Sequence, residues 1–79
     1  MPATILIVDD ESSILFSLSE AMEDAGYRVI TATTGEEAVR EVKESSPSVV
    51  LLDLKLPDID GLSVLEQIKS FNESIPVIM

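Results

Sequence analysis

The chain has 79 residues, which is room for one domain at most, and with 46% hydrophobic residues its composition is globular rather than disordered. Fifteen acidic against five basic residues give a net charge of −10, a balance that repels nucleic acid phosphates and anionic lipid and suits cations and basic partner surfaces. Cysteine and histidine are both absent, which removes disulfides, thiolate metal sites, zinc sites of the usual kind and any Ser-His-Asp triad.

In chain order, the start Met1-Pro2-Ala3-Thr4 lacks a charged n-region and a cleavage site. The apolar run Ile5-Leu6-Ile7-Val8 is too short for a signal peptide or a membrane span, so a soluble, cytoplasmic protein is expected. That run is continuous and branched, as in a parallel strand buried on both faces. From Ser13 to Ala25, Ile14, Leu15, Leu18, Ala21, Met22 and Ala25 form one helical stripe, and Gly26 follows as the residue suited to positive φ past a helix end. Tyr27-Arg28-Val29-Ile30 reads as an edge strand, with Arg28 and Thr31 facing away from Val29 and Ile30. Thr34-Gly35-Glu36-Glu37 is a capping box opening a second helix. Ala38, Val39 and Val42 line its inner face, and Ser45-Ser46-Pro47 ends it.

Val49-Val50-Leu51-Leu52 is a second continuous strand of the buried type. Asp60 caps a third helix running to about Phe71, with Leu62, Leu65 and Ile68 facing the core. Ile75 to Met79 is a last strand, with Pro76 near its start where a missing N–H is tolerated. The resulting order, β-α-β-α-β-α-β with short connections, implies right-handed crossovers and a parallel sheet: a doubly wound α/β fold. The loose repeat of strand starts near residues 5, 27, 49 and 75 does not make a solenoid, because no unit carries the leucine-rich signature.

Asp9 and Asp10 directly follow the first buried strand, and Asp53 ends the third. Open α/β sheets bind ligands outside the carboxyl ends of their strands, where the winding direction switches. If strands one and three are neighbours, the three carboxylates converge there. Two unit charges 4 Å apart repel by roughly 4 kcal/mol at an effective dielectric of about 20, a cost that a divalent cation turns into attraction. All-oxygen ligation suits Mg2+, with Mn2+ as a substitute. A carboxylate can also attack phosphorus to form an aspartyl phosphate, and Asp53, after four apolar residues, is expected to be the least solvated of the three. Asp9 and Asp10 are then the metal holders. The plainer alternative is that Asp10 merely caps the first helix. Glu20, Glu23, Glu36, Glu37, Glu41 and Glu44 read as solvated helix faces, and Met22 as core.

The segments Ile5-Leu6-Ile7-Val8-Asp9-Asp10-Glu11, Gly26-Tyr27-x-Val29, Ala32-x-x-Gly35-x-Glu37-Ala38 and Val50-Leu51-Leu52-Asp53-x-x-Leu56-Pro57-x-x-Asp60-Gly61 resemble the receiver domain of two-component response regulators. The last segment is the most specific. The resemblance implies a flavodoxin-like sheet of order 2-1-3-4 over this chain, with a fifth strand in the full family fold. It implies phosphorylation of Asp53 by a sensor histidine kinase, and slow self-catalysed loss of the phosphoryl group rather than enzyme turnover. It also implies Mg2+ ligation by Asp10 and Asp53, by Asp9 through water, and by the backbone carbonyl of Lys55.

On the family pattern, residues 1–79 are expected to be the N-terminal portion of a single receiver domain, truncated after the fourth strand. The family's Ser or Thr at the end of that strand and its later Lys have no counterpart here, so phosphoryl acceptance is expected to be impaired. The fourth strand is expected to be a bare edge through which the chain self-associates. Two other readings stand beside this one: an Asp-nucleophile phosphatase, which would need a second Asp where Lys55 stands, and a degenerate or engineered receiver fragment acting as an oligomerisation module. No direct contact with nucleic acid or membrane is expected, and the acidic loop after the first strand is unlike a glycine-rich phosphate loop.

Overall fold

The computed structural model describes residues 3–79; Met1 and Pro2, part of the start read as lacking a signal peptide, lie outside the described residues. Its elements are β1 (Thr4–Val8), α1 (Ser12–Asp24), β2 (Arg28–Ala32), α2 (Gly35–Ser45), β3 (Val49–Leu52), α3 (Gly61–Phe71) and β4 (Val77–Ile78). The four strands form one parallel sheet of order β2-β1-β3-β4. This is the expected doubly wound α/β, flavodoxin-like arrangement, in which winding reverses between β1 and β3.

β1 is the central strand and its residues split by pleat. Leu6 and Val8 point to the side covered by α2 and α3, where they join Ala38, Val42, Val50, Leu52, Val64 and Ile68 in the main core. Ile5 and Ile7 point to the other side, where they form a small buried cluster with Leu15 of α1. No polar or charged side chain is buried among the described residues.

Local chemistry sets the helix ends as read from sequence. Gly26 stands at φ +97, with its amide bonded to Glu23 O and that of Tyr27 bonded to Met22 O, the paired closure of a Schellman motif. The Thr34 hydroxyl accepts from the Glu37 amide at 3.1 Å, while the Glu37 carboxylate accepts from the Thr33 amide at 2.9 Å, one residue earlier than a strict capping box. Asp60 caps α3 by accepting from the Ser63 amide at 2.9 Å.

Four expectations need correction. Leu62 is 60% exposed, and the buried stripe of α3 runs through Gly61, Val64 and Ile68. Gly61 sets that phase: a Cβ there would meet Leu54 Cα at 2.8 Å and Asp53 O at 2.9 Å, so this face must lie against the loop and Leu62 turns outward. In α1, Ile14 and Ala21 are exposed, as is Ala25 just past its end, and only Leu15 is buried, because one helix alone rests on that side of the sheet among the described residues. In β2, Val29 and Ile30 face opposite sides, Val29 toward α1 and Ile30 toward α2 and α3, as strand pleating requires. β4 is only two residues long; Ile75 is buried ahead of it, and Pro76 contributes its carbonyl to Val50 N.

Candidate functional site

The register of β1 on β3 pairs Ile7 with Leu51 and Val8 with Leu52, so both strands end level. The ladder runs one step further: Asp53 N donates to Val8 O at 3.0 Å, and Asp9 N donates to Ala32 O at 3.1 Å. Asp9 and Asp53 thus leave the sheet at the same height on neighbouring strands, at the point where the winding reverses. Each then turns the chain with its own carboxylate. Asp9 Oδ1 accepts from Glu11 N at 2.9 Å, and Asp53 Oδ1 accepts from Lys55 N at 3.2 Å.

These two turns bring Asp10 alongside. One carboxylate oxygen from each of Asp9, Asp10 and Asp53 lies within 4.8 Å of the others. Asp9 and Asp53 are half-buried and Asp10 is exposed, so Asp53 shares its shelter with Asp9 rather than standing alone in it. Asp10 does not cap α1, whose N-cap residue is Glu11 with no side-chain cap bond. Lys55 lies two residues beyond Asp53 in the turn, with its side chain exposed. The three carboxylates expected to converge do come together.

Sequence reasoning did not single out Asp58. That carboxylate accepts from the Gly35 amide at 2.8 Å through Oδ1 and from the Glu36 amide at 2.9 Å through Oδ2, tying the β3–α3 loop to the start of α2. The Gly35 bond, then the Glu36 bond, holds its carboxyl below the usual carboxylate range. Both partners are more than 20 positions away, so no local spacing rule could have found them.

The donor set bears on what the site can hold. Three carboxylates around one small volume offer only hard oxygen ligands, which suits a divalent cation of the Mg2+ type and no soft metal. Among the described residues no helix is long and apolar enough to cross a membrane.

Residues 5–79 match the family described as the response regulator receiver domain. The chain is 40% identical over 79 residues to the alkaline phosphatase synthesis transcriptional regulatory protein PhoP of Bacillus subtilis, covering all of this chain and 33% of PhoP. It therefore spans about a third of the length of that curated relative. It superposes at a TM-score of 0.98 on a CheY-like response regulator receiver domain protein from Methanospirillum hungatei, with 34% identity, covering all of this chain and 63% of that one. It superposes at 0.95, with 35% identity, on a chain of the CheX-CheY-BeF3-Mg2+ complex from Borrelia burgdorferi, covering all of this chain and 61% of that one. Receiver domains take Mg2+ at an acidic pocket, and this chain brings one carboxylate oxygen each of Asp9, Asp10 and Asp53 together. With the fold, the switch-point carboxylates and the family match in agreement, the chain belongs to the receiver domains of two-component response regulators, which are signalling phosphoacceptors.

Proposed function

We propose that this chain accepts a phosphoryl group on Asp53 from a sensor histidine kinase, with Mg2+ held by Asp9, Asp10, Asp53 and the backbone carbonyl of Lys55. The observation that carries the reading is the convergence of three carboxylates within 4.8 Å at the ends of adjoining strands, an arrangement that is self-repulsive without a cation. Asp53 is the nucleophile: its Oδ1 is engaged by the Lys55 amide, and among the described residues no hydrogen bond reaches its Oδ2. A carboxylate oxygen of Asp53 attacks phosphorus while the bond from phosphorus to the donor breaks. The bonding pair leaves with the imidazole nitrogen of a phosphohistidine, or with acetate when acetyl phosphate is the donor. The bound cation supplies neutralisation of charge on the transferring group, and Mn2+ offers the same.

The residues of the site orient and accept rather than turn over, so the activity is that of a cytoplasmic signalling acceptor with weak self-dephosphorylation. Residues 1–79 are read as the N-terminal portion of a single receiver domain, in keeping with their 63% share of the Methanospirillum receiver protein. The likeness to PhoP supports transcription regulation as the output of the whole protein.

The test is intact mass after incubation with acetyl phosphate and Mg2+, beside Asp53→Asn. One phosphoryl adduct on the parent and none on the variant is expected. A folded parent that takes no adduct means that residues 1–79 alone do not carry phosphoryl acceptance, and favours the second reading, an oligomerisation module. That second reading has its own observation: among the described residues β4 pairs with β3 alone, and Ile78 is 57% exposed at the sheet edge. Sedimentation at micromolar concentration decides it, since a monodisperse monomer would discard self-association through that edge.

A further inference from the structure

The loop from Asp53 to Asp60 carries two of the proposed ligands, and it is fastened at three places. At its start, Lys55 N is held by Asp53 Oδ1. At its end, Gly61 N donates to Leu54 O at 3.0 Å, and the absence of a Cβ on Gly61 lets α3 press against Leu54 and Asp53 O. In its middle, Asp58 reaches away from the loop and seats both carboxylate oxygens on the first two amides of α2. Ile59 completes that junction. A Cβ on Gly35 would overlap the Ile59 side chain and meet Val64 Cγ2 at 2.8 Å, so helix and loop touch with no room between them.

α2 does not need Asp58 as its cap, because Thr34 already serves the Glu37 amide. Asp58 adds a two-point attachment between the middle of the loop and a helix whose own inner face, Ala38 and Val42, is packed in the main core. A carboxylate at a helix N-terminus is also favoured by the unpaired amides and the helix dipole. Both ends and the middle of the loop are thus attached, and Lys55 lies between those attachments.

We propose that Asp58 is a positioning residue for the cation site: through the Gly35 and Glu36 amides it fixes the β3–α3 loop and thereby aims the Lys55 carbonyl. The inference rests on the assignment of that carbonyl as a ligand. It couples α2 to the metal site without Asp58 touching the ion.

The experiment uses the 79-residue chain as parent, Asp58→Ala, Asp58→Asn and Thr34→Ala. Mg2+ affinity is read from amide chemical-shift titration at about 0.15 M salt, where distant exposed charges are largely screened. Stability without metal is read from urea unfolding. Loss of an outer partner of a metal ligand costs roughly 10- to 100-fold in affinity. Asp58→Ala is expected to weaken Mg2+ binding by about 10-fold, and Asp58→Asn, which keeps an acceptor oxygen, by less. Thr34→Ala removes a cap from the same helix without touching the loop, and its Mg2+ affinity is expected to match the parent. Equal losses in Asp58→Ala and Thr34→Ala, or no loss in either, would overturn the inference while leaving the metal site standing. A folded parent that takes no Mg2+ would overturn the site assignment and the inference together. Should Asp58→Ala fail to fold, Asp58→Asn against Thr34→Ala carries the same comparison.

Discussion

The two faces of the sheet are built to different depths. On one, α2 and α3 close over a continuous core of ten buried residues that draws on every strand but β4 and includes Ile75 just ahead of it. On the other, among the described residues, α1 alone covers Ile5 and Ile7 with Leu15, helped by the half-buried Leu18, Met22, Val29, Val49 and Leu51, while Phe16 stands 66% exposed. β1 belongs to both faces, and the acidic site grows from its end. Among the described residues the deeper packing is therefore on the α2–α3 side, which is also the side that holds the Asp53–Asp60 loop. The α1 side contributes less holding force, although Asp9 and Asp10 lead directly into that helix.

The most direct way to break this contrast is to hollow each face in turn. Ile68→Ala, at a fully buried position on the deep face, is expected to cost about 3–5 kcal/mol, and Leu15→Ala on the shallow face about 2 kcal/mol. Urea unfolding of both variants measures this; equal losses would mean that α1 is as firmly seated as the opposing pair. Next in size, Gly35→Ala should lose about 1–3 kcal/mol by forcing Ile59 and Val64 aside, although alanine is the better helix former. A neutral or stabilising result would show that this junction yields.

A smaller, pH-dependent effect separates Asp58 from its surroundings. Its carboxyl is held below the ordinary value of 3.8 in the folded chain, so its contribution is fully present above that pH and is lost as pH falls through the lower folded value. The stability difference between the parent and Asp58→Asn should thus stay flat from neutral pH down to about 4 and then narrow. A gap that narrows already near pH 6 would point to another group. The smallest effect is expected at Arg40, whose contacts with Glu37 at 3.9 Å and Glu44 at 4.0 Å are exposed; Arg40→Ala should change stability by less than about 0.5 kcal/mol.

Much of the site was legible before the fold was known. Asp9-Asp10 and Asp53 each follow an apolar run of four, and a parallel sheet with β1 beside β3 brings such ends together. Asp58 was not legible, because acids in that stretch look alike until the start of α2 arrives beside one of them.

The sequence by itself determined the order and approximate ends of the elements, the helix stops at Gly26 and Ser46, and the caps at Thr34 and Asp60. These features depend on bonds between residues two to five apart and on periodicity, which neighbours along the chain encode. Only the tertiary structure decided that Ile14 and Leu62 face solvent, that β4 pairs over two residues, and that Asp58 belongs to α2. Those outcomes follow from how closely one element can approach another, as at Gly35 and Gly61, and that distance is set by the packed partner rather than by the segment itself.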